Sequence, residues 1–236
     1  LEPMLQSFLT NRPSSISAPS DGCIAVAGPV RDRAATITNL PWTIRESDLA
    51  KAAEMRQLEL ANDFGVLIYG LPHFSGEQQV DLQRGVADAG PVAILGAGTG
   101  LGMARGVRTE RGLIALSCEG GHREFAPRTA EEWELACWLK RDLGLARLSI
   151  ERIVSGTGLG HVARWLLQNP DAVTHPLQDV AEAWRRDSSN DLPAQVSLAA
   201  HQGDPLMQQA RGIWLGAYGA AAGDLALHEL CTGGLW

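Results

Sequence analysis

The sequence predicts an α/β protein with two lobes and a ligand cleft between them. The chain has 236 residues, which is enough for one large domain or two small ones. Hydrophobic residues make up 45% of it and charged residues 20%, as is typical of a folded globular protein. In two separate stretches of the chain, apolar runs of strand length come first and helical patterns follow, which indicates two α/β lobes.

The first lobe is expected over residues 1–72. A helix end near Met4 leads into a linker rich in proline and serine, and Cys23–Ala27 is an apolar run closed by Gly28-Pro29, typical of a buried strand. Ala34–Thr38 is expected to be the neighbour of that strand. The remaining pattern predicts a helix after an acidic start, a third strand and a second helix, over Leu49–Met55, Leu58–Ala61 and Phe64–Leu71.

The second lobe is expected over residues 73–236, with the cleft near residues 72–90. Its first part predicts three strands, over Val92–Leu95, Met103–Val107 and Gly112–Leu116. A capping box, Thr129-x-x-Glu132, marks the change to helices. These helices are predicted over Trp133–Leu143, Leu159–Leu167, Val180–Arg186 and Pro205–Leu230. The last residues resemble a turn that enters a strand.

Charge and cysteine spacing exclude several classes of protein. The net charge is −7 and no basic stripe occurs, so nucleic-acid binding is not expected. The longest weakly polar stretch, Gly212–Leu227, is interrupted by glycines and Asp224, so we expect no membrane span. No charged-then-apolar leader opens the chain, so secretion is not expected. The four cysteines lie far apart, which is typical of reduced thiols in a cytoplasmic protein without a zinc site.

The glycine-rich run Gly96–Gly102 is the first candidate site. Its glycines alternate, so they fail the G-x-G-x-x-G spacing of dinucleotide-binding proteins, and no Walker lysine follows. Strand periodicity after Gly102 predicts that the run turns a β-hairpin. Alternating glycines allow positive φ and expose backbone N–H groups, which suits phosphate oxygens, and Thr99 adds a hydroxyl donor. The alternative is a tight hairpin turn without a ligand.

Polar residues follow the predicted strand Leu58–Ala61 directly. The Asp63 carboxylate could take a proton from a substrate hydroxyl, and the Asn62 amide could hold neighbouring hydroxyls. The alternative is that both residues cap the helix beginning at Phe64.

Three further polar residues are candidates for a ligand site. Cys118–His122 places Glu119 and His122 around a Gly-Gly bend, where a carboxylate and an imidazole can pair with vicinal hydroxyls. Glu151 is a possible strand-end carboxylate before Ile153, and a solvated surface glutamate is its alternative. Ser155 or Thr157 is expected to cap the following helix.

These motifs occur in the order found in bacterial glucokinases, which the chain resembles over nearly its whole length. The resemblance is to the zinc-free group within the actin/hexokinase-like superfamily, because the Cys-x-Cys-Gly zinc motif of repressor-like sugar kinases is missing. It rests on seven ordered motifs: Cys23–Pro29, Thr38–Trp42, Asn62–Phe64, Gly96–Gly102, Glu119–His122, Glu151–Gly156 and Gly233-Gly234.

The resemblance implies a two-lobed actin/ribonuclease H-like fold of the hexokinase type and a cytoplasmic enzyme of glycolysis that converts glucose and ATP, with Mg²⁺, to glucose 6-phosphate. By resemblance, Asp63 is the base for the 6-hydroxyl. Asn62, Glu119, His122 and Glu151 bind the other hydroxyls. We therefore expect Asp63, Glu119, His122 and Glu151 to converge on one pocket. By the same resemblance, the ATP phosphates are bound by Gly96, Gly98, Thr99 and Gly100. Whether the protein forms a homodimer is left undecided by the sequence.

The departures from the family pattern predict a fragment that lacks both ends. The family opens with an Asp-x-Gly-Gly-Thr hairpin and continues past Gly233-Gly234 into an adenosine-binding segment, and neither occurs here. We therefore expect these residues alone to bind glucose weakly and to turn over ATP negligibly. The competing interpretation is a non-catalytic sugar-binding or regulatory relative, and the failed glycine spacing disfavours a nicotinamide dehydrogenase.

Overall fold

The computed structural model describes residues 1–37, 40–86 and 88–236. Thr38 and Asn39, which belong to one of the seven motifs and to the end of a predicted strand, lie outside the described residues. Contacts divide the chain into two compact units. The first unit comprises residues 1–85 and 104–117, and the second unit residues 86–103 and 118–236. The lobe boundary at residue 72 stays a prediction.

The first unit is a small α/β assembly. Its helices are α1 (Glu2–Thr10), α2 (Glu46–Ala52) and α3 (Asp63–Gly70). Its strands are β1 (Asp21–Val26), β2 (Val30–Arg31), β3 (Ala34–Thr36), β4 (Thr43–Arg45) and β5 (Gln57–Asn62). These elements match the predicted ones within a few residues, except that β2 and β4 were not predicted.

Strand pairing in the first unit differs from the expectation. The neighbour of β1 is β5, parallel and with Val26 opposite Asn62, whereas β3 pairs antiparallel with β2 and β4. The expectation that Ala34–Thr38 lies beside β1 was therefore wrong. The local reason is a two-residue hairpin turn, because Asp32 and Arg33 both adopt positive φ, the geometry that joins adjacent antiparallel strands.

One buried carboxylate ties this unit together. Glu46, at the start of α2, is only 6% exposed. Its two oxygens accept the Leu60 N–H at 3.0 Å and the Arg33 Nε–H at 2.7 Å. A buried charge with both oxygens hydrogen-bonded links α2, β5 and the β2–β3 turn beside the apolar cluster around Leu49 and Leu58.

The second unit combines strands with a layer of helices. The larger sheet of the chain has the strands β6 (Val92–Ala97), β7 (Leu101–Thr109), β8 (Gly112–Cys118) and β9 (Gly234–Leu235), in the order β8–β7–β6–β9, with β9 parallel to β6. Of these strands, β6, β9 and the start of β7 belong to the second unit. The unit division passes through β7 and β8. The helices are α4 (Ala130–Leu143), α5 (Gly156–Leu166), α6 (Gln178–Arg186), α7 (Leu192–His201) and α8 (Pro205–Glu229).

Most predicted elements of this unit are confirmed, and the exceptions have local causes. The helix α7 was missed, although Asp191 caps it by accepting the Ala194 N–H at 3.2 Å. Around Glu151 the chain forms a short 3₁₀ turn, Ile150–Arg152, where a strand end was expected. Ile150 and Ile153 are buried in the core, so the apolar run that suggested a strand arises from a buried turn.

Helix caps follow the sequence closely. Ser155 begins α5 and accepts the Gly158 N–H at 2.9 Å, and Thr129 begins α4 and accepts the Glu132 N–H at 3.1 Å. The predicted capping box is only half formed. The Glu132 carboxylate accepts the N–H of Arg128 at 2.7 Å instead of that of Thr129, because it also pairs with the Arg128 guanidinium.

A neutral histidine lies in the core of the second unit. His161 on α5 is 4% exposed and its ring meets Trp184 edge-on, with centroids 5.4 Å apart. Its Nδ1 lies 2.9 Å from the Arg152 carbonyl, which only accepts, so Nδ1 carries the proton. Burial lowers the pKa of His161 to about 4, and the nearby Arg164 and Arg152 guanidinium groups act in the same direction.

We predict that Gly158→Ala destabilises the protein while Gly219→Ala does not. An added Cβ at Gly158 would lie 2.0 Å from the Ile153 carbonyl oxygen, whereas Gly219 in α8 has open space around it. The first change should lower the free energy of unfolding by about 1–3 kcal/mol, and the second should raise it by about 0.5–1 kcal/mol. Urea unfolding measures both, and equal effects would contradict the packing.

We also predict that His161 weakens the fold in acid. Above pH 6.5 its imidazole is neutral in both states, and between pH 6.5 and about 4 only the unfolded chain takes up the proton. The resulting loss of stability is on the order of 3 kcal/mol at pH 4. Unfolding measured across this range should show a shallower loss for His161→Phe. The exposed His201→Phe serves as control and should leave the loss unchanged.

Candidate functional site

Three of the candidate residues form one cluster in the second unit. The His122 imidazole lies between two carboxylates, with Nδ1 3.1 Å from Glu151 Oε1 and Nε2 3.6 Å from Glu119 Oε2. The side chains of Glu119 and His122 are more than half exposed, whereas that of Glu151 is 21% exposed. The structure therefore brings together three of the residues that were predicted to converge.

The Gly-Gly bend lets this cluster approach the sheet. A Cβ on Gly121 would lie 2.0 Å from the Leu101 carbonyl oxygen, and one on Gly120 would lie 2.6 Å from the Met103 sulfur. Both neighbours belong to β7, so only glycine allows the 3₁₀ turn Gly120–His122 to lie against that strand.

Charged residues hold the other side of the bend. The Arg147 guanidinium donates to the His122 carbonyl and pairs with Glu124 at 2.9 Å, and Lys140 lies 3.4 Å from the same carboxylate. Desolvation raises the pKa of Glu124, but the Leu148 amide, Lys140 and Arg147 outweigh it, and the pKa lies below its usual value. Glu124 is therefore a supporting anion beside the cluster.

Glu151 is held through its backbone. The Ser155 hydroxyl donates to the Glu151 carbonyl at 2.6 Å, and the Trp214 indole N–H of α8 donates to the Ser155 carbonyl at 2.9 Å. The carboxylate of Glu151 extends toward the glycine-rich loop, where Oε2 would be 3.0 Å from a Cβ on Gly100. A side chain at position 100 would thus press on Glu151.

The glycine-rich loop is a hairpin turn, as predicted. Gly98–Gly100 joins β6 to β7, with the Gly98 N–H donating to the Gly100 carbonyl at 2.9 Å. Two bonds attach the loop to the start of α5. The Gly156 N–H donates to the Gly98 carbonyl at 2.8 Å, and the Thr157 hydroxyl donates to the Thr99 carbonyl at 3.3 Å. The loop therefore adjoins both the helix start and the Glu151 carboxylate.

Two details of the loop differ from the sequence analysis. Gly96 lies inside β6 and not in the turn. Positive φ was expected for the alternating glycines, but the described glycines with positive φ are Gly28, Gly112, Gly144, Gly203 and Gly234. Glycine is needed at position 100 because it has no side chain that would press on the Glu151 carboxylate. Gly98 and Thr99 are exposed.

Asn62 and Asp63 lie in the first unit, where β5 ends and α3 begins. The Asn62 Oδ1 accepts the N–H groups of Phe64 and Gly65 at 3.1 and 2.9 Å, so Asn62 caps α3. Its Nδ2 donates to the Gly28 carbonyl at 3.3 Å. Asp63 is half-buried at the first helical position, and its Oδ1 accepts the Phe64 N–H. The capping interpretation is confirmed for Asn62.

Sequence reasoning missed two aromatic residues on α8. Besides Trp214, the Tyr218 hydroxyl donates to the Leu95 carbonyl at 3.1 Å, just before the glycine-rich loop, and the two rings lie 5.2 Å apart. Their four-residue spacing placed them on one helix face, but an aromatic pair at this spacing is equally typical of a core.

Neither a metal cluster nor a membrane helix is found in the part of the chain that the structure describes. Within residues 1–37, 40–86 and 88–236, no three histidine, cysteine or acidic side chains are grouped so that they could hold a metal ion. Among the same residues, no helix has the length and hydropathy that a membrane crossing requires.

Comparisons with known proteins agree on one family. A family model described as Glucokinase matches residues 1–236. The chain is 39% identical to a glucokinase of Synechocystis sp., covering 100% of the chain and 70% of that protein, and 36% identical to a glucokinase of Nostoc sp., covering 71% of it. A solved glucokinase from an Antarctic psychrotroph superposes with a TM-score of 0.77 at 30% identity, covering 100% of this chain and 68% of that structure.

These matches confirm the predicted fold class, an α/β fold of the sugar-kinase type. They are consistent with the order of motifs along the sequence, since the matched region is the whole chain. We conclude that the chain belongs to the glucokinase family.

Proposed function

We propose that the protein transfers the terminal phosphoryl group of ATP to the 6-hydroxyl of glucose. One structural observation supports this above the others. Glu119, His122 and Glu151 form one cluster, and this cluster reaches the glycine-rich loop through Glu151, whose Oε2 would lie 3.0 Å from a Cβ on Gly100. A sugar kinase needs its sugar and phosphate sites next to each other, and membership of the glucokinase family supports glucose as the sugar.

The cluster suits a ligand with several vicinal hydroxyls. The carboxylates of Glu119 and Glu151 accept hydrogen bonds, whereas the imidazole of His122 also donates one, and the tautomer decides which ring nitrogen donates. A sugar hydroxyl donates one hydrogen bond and accepts others, so carboxylates on either side of an imidazole can pair with neighbouring hydroxyls. By family resemblance, Asn62 contributes a further contact.

The loop suits phosphate. Its Gly98 and Thr99 carbonyls are already taken by α5, and Thr99 supplies an exposed hydroxyl. In the proposal, backbone amides of Thr99 and Gly100 and the start of α5 face the ATP phosphates. In the proposal, Mg²⁺ is bound mainly through the phosphate oxygens of ATP and water, as is common for this ion.

The chemical step assigned to this chain is a proton transfer. As the 6-hydroxyl oxygen forms its bond to the terminal phosphorus, the bond from that phosphorus to the bridging oxygen of ADP breaks. The Asp63 carboxylate accepts the hydroxyl proton and later returns it to solvent. A cytoplasmic location and a homodimer stay predictions.

The first test is an assay of ATP-dependent glucose phosphorylation by the natural protein that contains these residues, coupled to detection of glucose 6-phosphate. Phosphorylation of glucose supports the proposal. Glucose binding without phosphorylation, measured by calorimetry in the presence of ATP and Mg²⁺, would instead support the non-catalytic sugar-binding alternative.

We predict that Asp63→Asn lowers kcat by about 10²–10⁴-fold, because the amide cannot accept the proton. The KM for glucose should change far less, since the amide keeps its hydrogen-bonding capacity. Asp48→Asn is a matched control, because Asp48 is an exposed aspartate in the first turn of α2 in the same unit. Near-normal turnover of Asp63→Asn would mean that Asp63 only supports the helix start.

A further inference from the structure

We infer that His161 is a positioning residue for Glu151, acting through the hydrogen bond from its Nδ1 to the Arg152 carbonyl. The inference rests on the proposed role of Glu151 in binding the sugar. His161 lies on α5, and its ring lies in the core, so the effect must pass through the turn that carries Glu151.

The turn has a donor for each successive carbonyl. The Ile150 carbonyl accepts the N–H groups of Ile153 and Val154, at 3.0 and 2.8 Å. The Glu151 carbonyl accepts the Ser155 hydroxyl at 2.6 Å, and the Arg152 carbonyl accepts His161 Nδ1 at 2.9 Å. The first bonds are local, but the last comes from the second turn of α5, so His161 fixes the 3₁₀ turn relative to the helix.

His161 is itself held rigidly. Its ring meets Trp184 edge-on, and a Cβ on the preceding Gly160 would lie 3.0 Å from the Trp184 ring, so α5 and α6 pack without spare room here. A buried donor with a fixed ring has one direction in which to donate. The bond to Arg152 is therefore a fixed reference and not an adjustable surface contact.

The carboxylate of Glu151 responds to any shift of this turn. It contacts His122 Nδ1 at 3.1 Å and adjoins Gly100, so a small displacement changes its distance both to the imidazole and to a bound hydroxyl. Misplacing a substrate-contacting group by about 1 Å commonly changes activity by up to ~10²-fold.

Two substitutions separate the hydrogen bond from the packing. His161→Phe keeps a ring against Trp184 and removes the donor, whereas His161→Asn keeps an N–H close to the position of Nδ1 and gives up ring packing. In the natural protein, we expect His161→Phe to raise the KM for glucose about 10-fold and the KM for ATP less than about 3-fold. His161→Asn should return the glucose KM to within about 3-fold of the unchanged protein.

A second histidine supplies the control for lost stability. His175 is also largely buried. Its Nε2 lies 3.0 Å from Asp204 Oδ2, and its Nδ1 accepts the Leu177 N–H at 3.1 Å, within the same unit. His175→Phe should therefore lower the unfolding temperature without raising the glucose KM. An unchanged glucose KM in His161→Phe, no rescue by His161→Asn, or an equal rise in His175→Phe would each overturn the inference.

Amide hydrogen exchange tests the same bond without any activity. The N–H groups of Arg152, Ile153 and Val154 are bonded within the turn and report on its integrity. They should exchange faster in His161→Phe than in His161→Asn, and equal rates would contradict a positioning role. If the unchanged protein does not phosphorylate glucose, the proposed function fails, and these rates still decide whether His161 holds the turn.

Discussion

The candidate site in the second unit depends on one backbone hydrogen bond, from the Gly156 N–H at the start of α5 to the Gly98 carbonyl at 2.8 Å. It joins the hairpin loop that carries Gly98–Gly100 to the segment that carries Glu151. The first N–H groups of a helix have no partner within the helix, and here the one from Gly156 donates to the loop carbonyl. Under the proposed function, the residues that bind sugar and the residues that bind phosphate are thereby held next to each other.

The helix α8 acts as the support behind that point. Trp214 donates to the Ser155 carbonyl and Tyr218 donates to the Leu95 carbonyl, one at the segment before α5 and the other at the strand before the loop. Since the two rings also contact each other, a single helix face sets the spacing of both segments. The indole N–H and the phenol hydroxyl at the tips of these aromatic side chains allow a largely apolar helix to hold the backbone carbonyls of two other segments.

Features that depend on a few neighbouring residues could be predicted from the sequence. Features that depend on contacts between distant residues could not. Apolar runs located β6 and β5, and the Ser155 cap could be predicted because its partner lies three residues away. The strand that pairs with β1 could not be predicted. Parallel strands are joined by a long crossover connection, whereas a local pattern favours pairing with the next strand along the chain. The turn at Glu151 was mistaken for a strand, because burial from all sides gives both the same apolar run.

Capping and catalysis are the two interpretations of Asn62 and Asp63, and under the proposed function this pair of residues does both. The Asn62 Oδ1 accepts two N–H groups of the helix, and its Nδ2 donates one hydrogen to the Gly28 carbonyl. An amide NH₂ group has two hydrogens, so the other can donate to a ligand. The cap fixes where α3 starts, and Asp63 is the first residue of that helix. Under the proposed function, the cap that stabilises the helix is therefore also what orients the base.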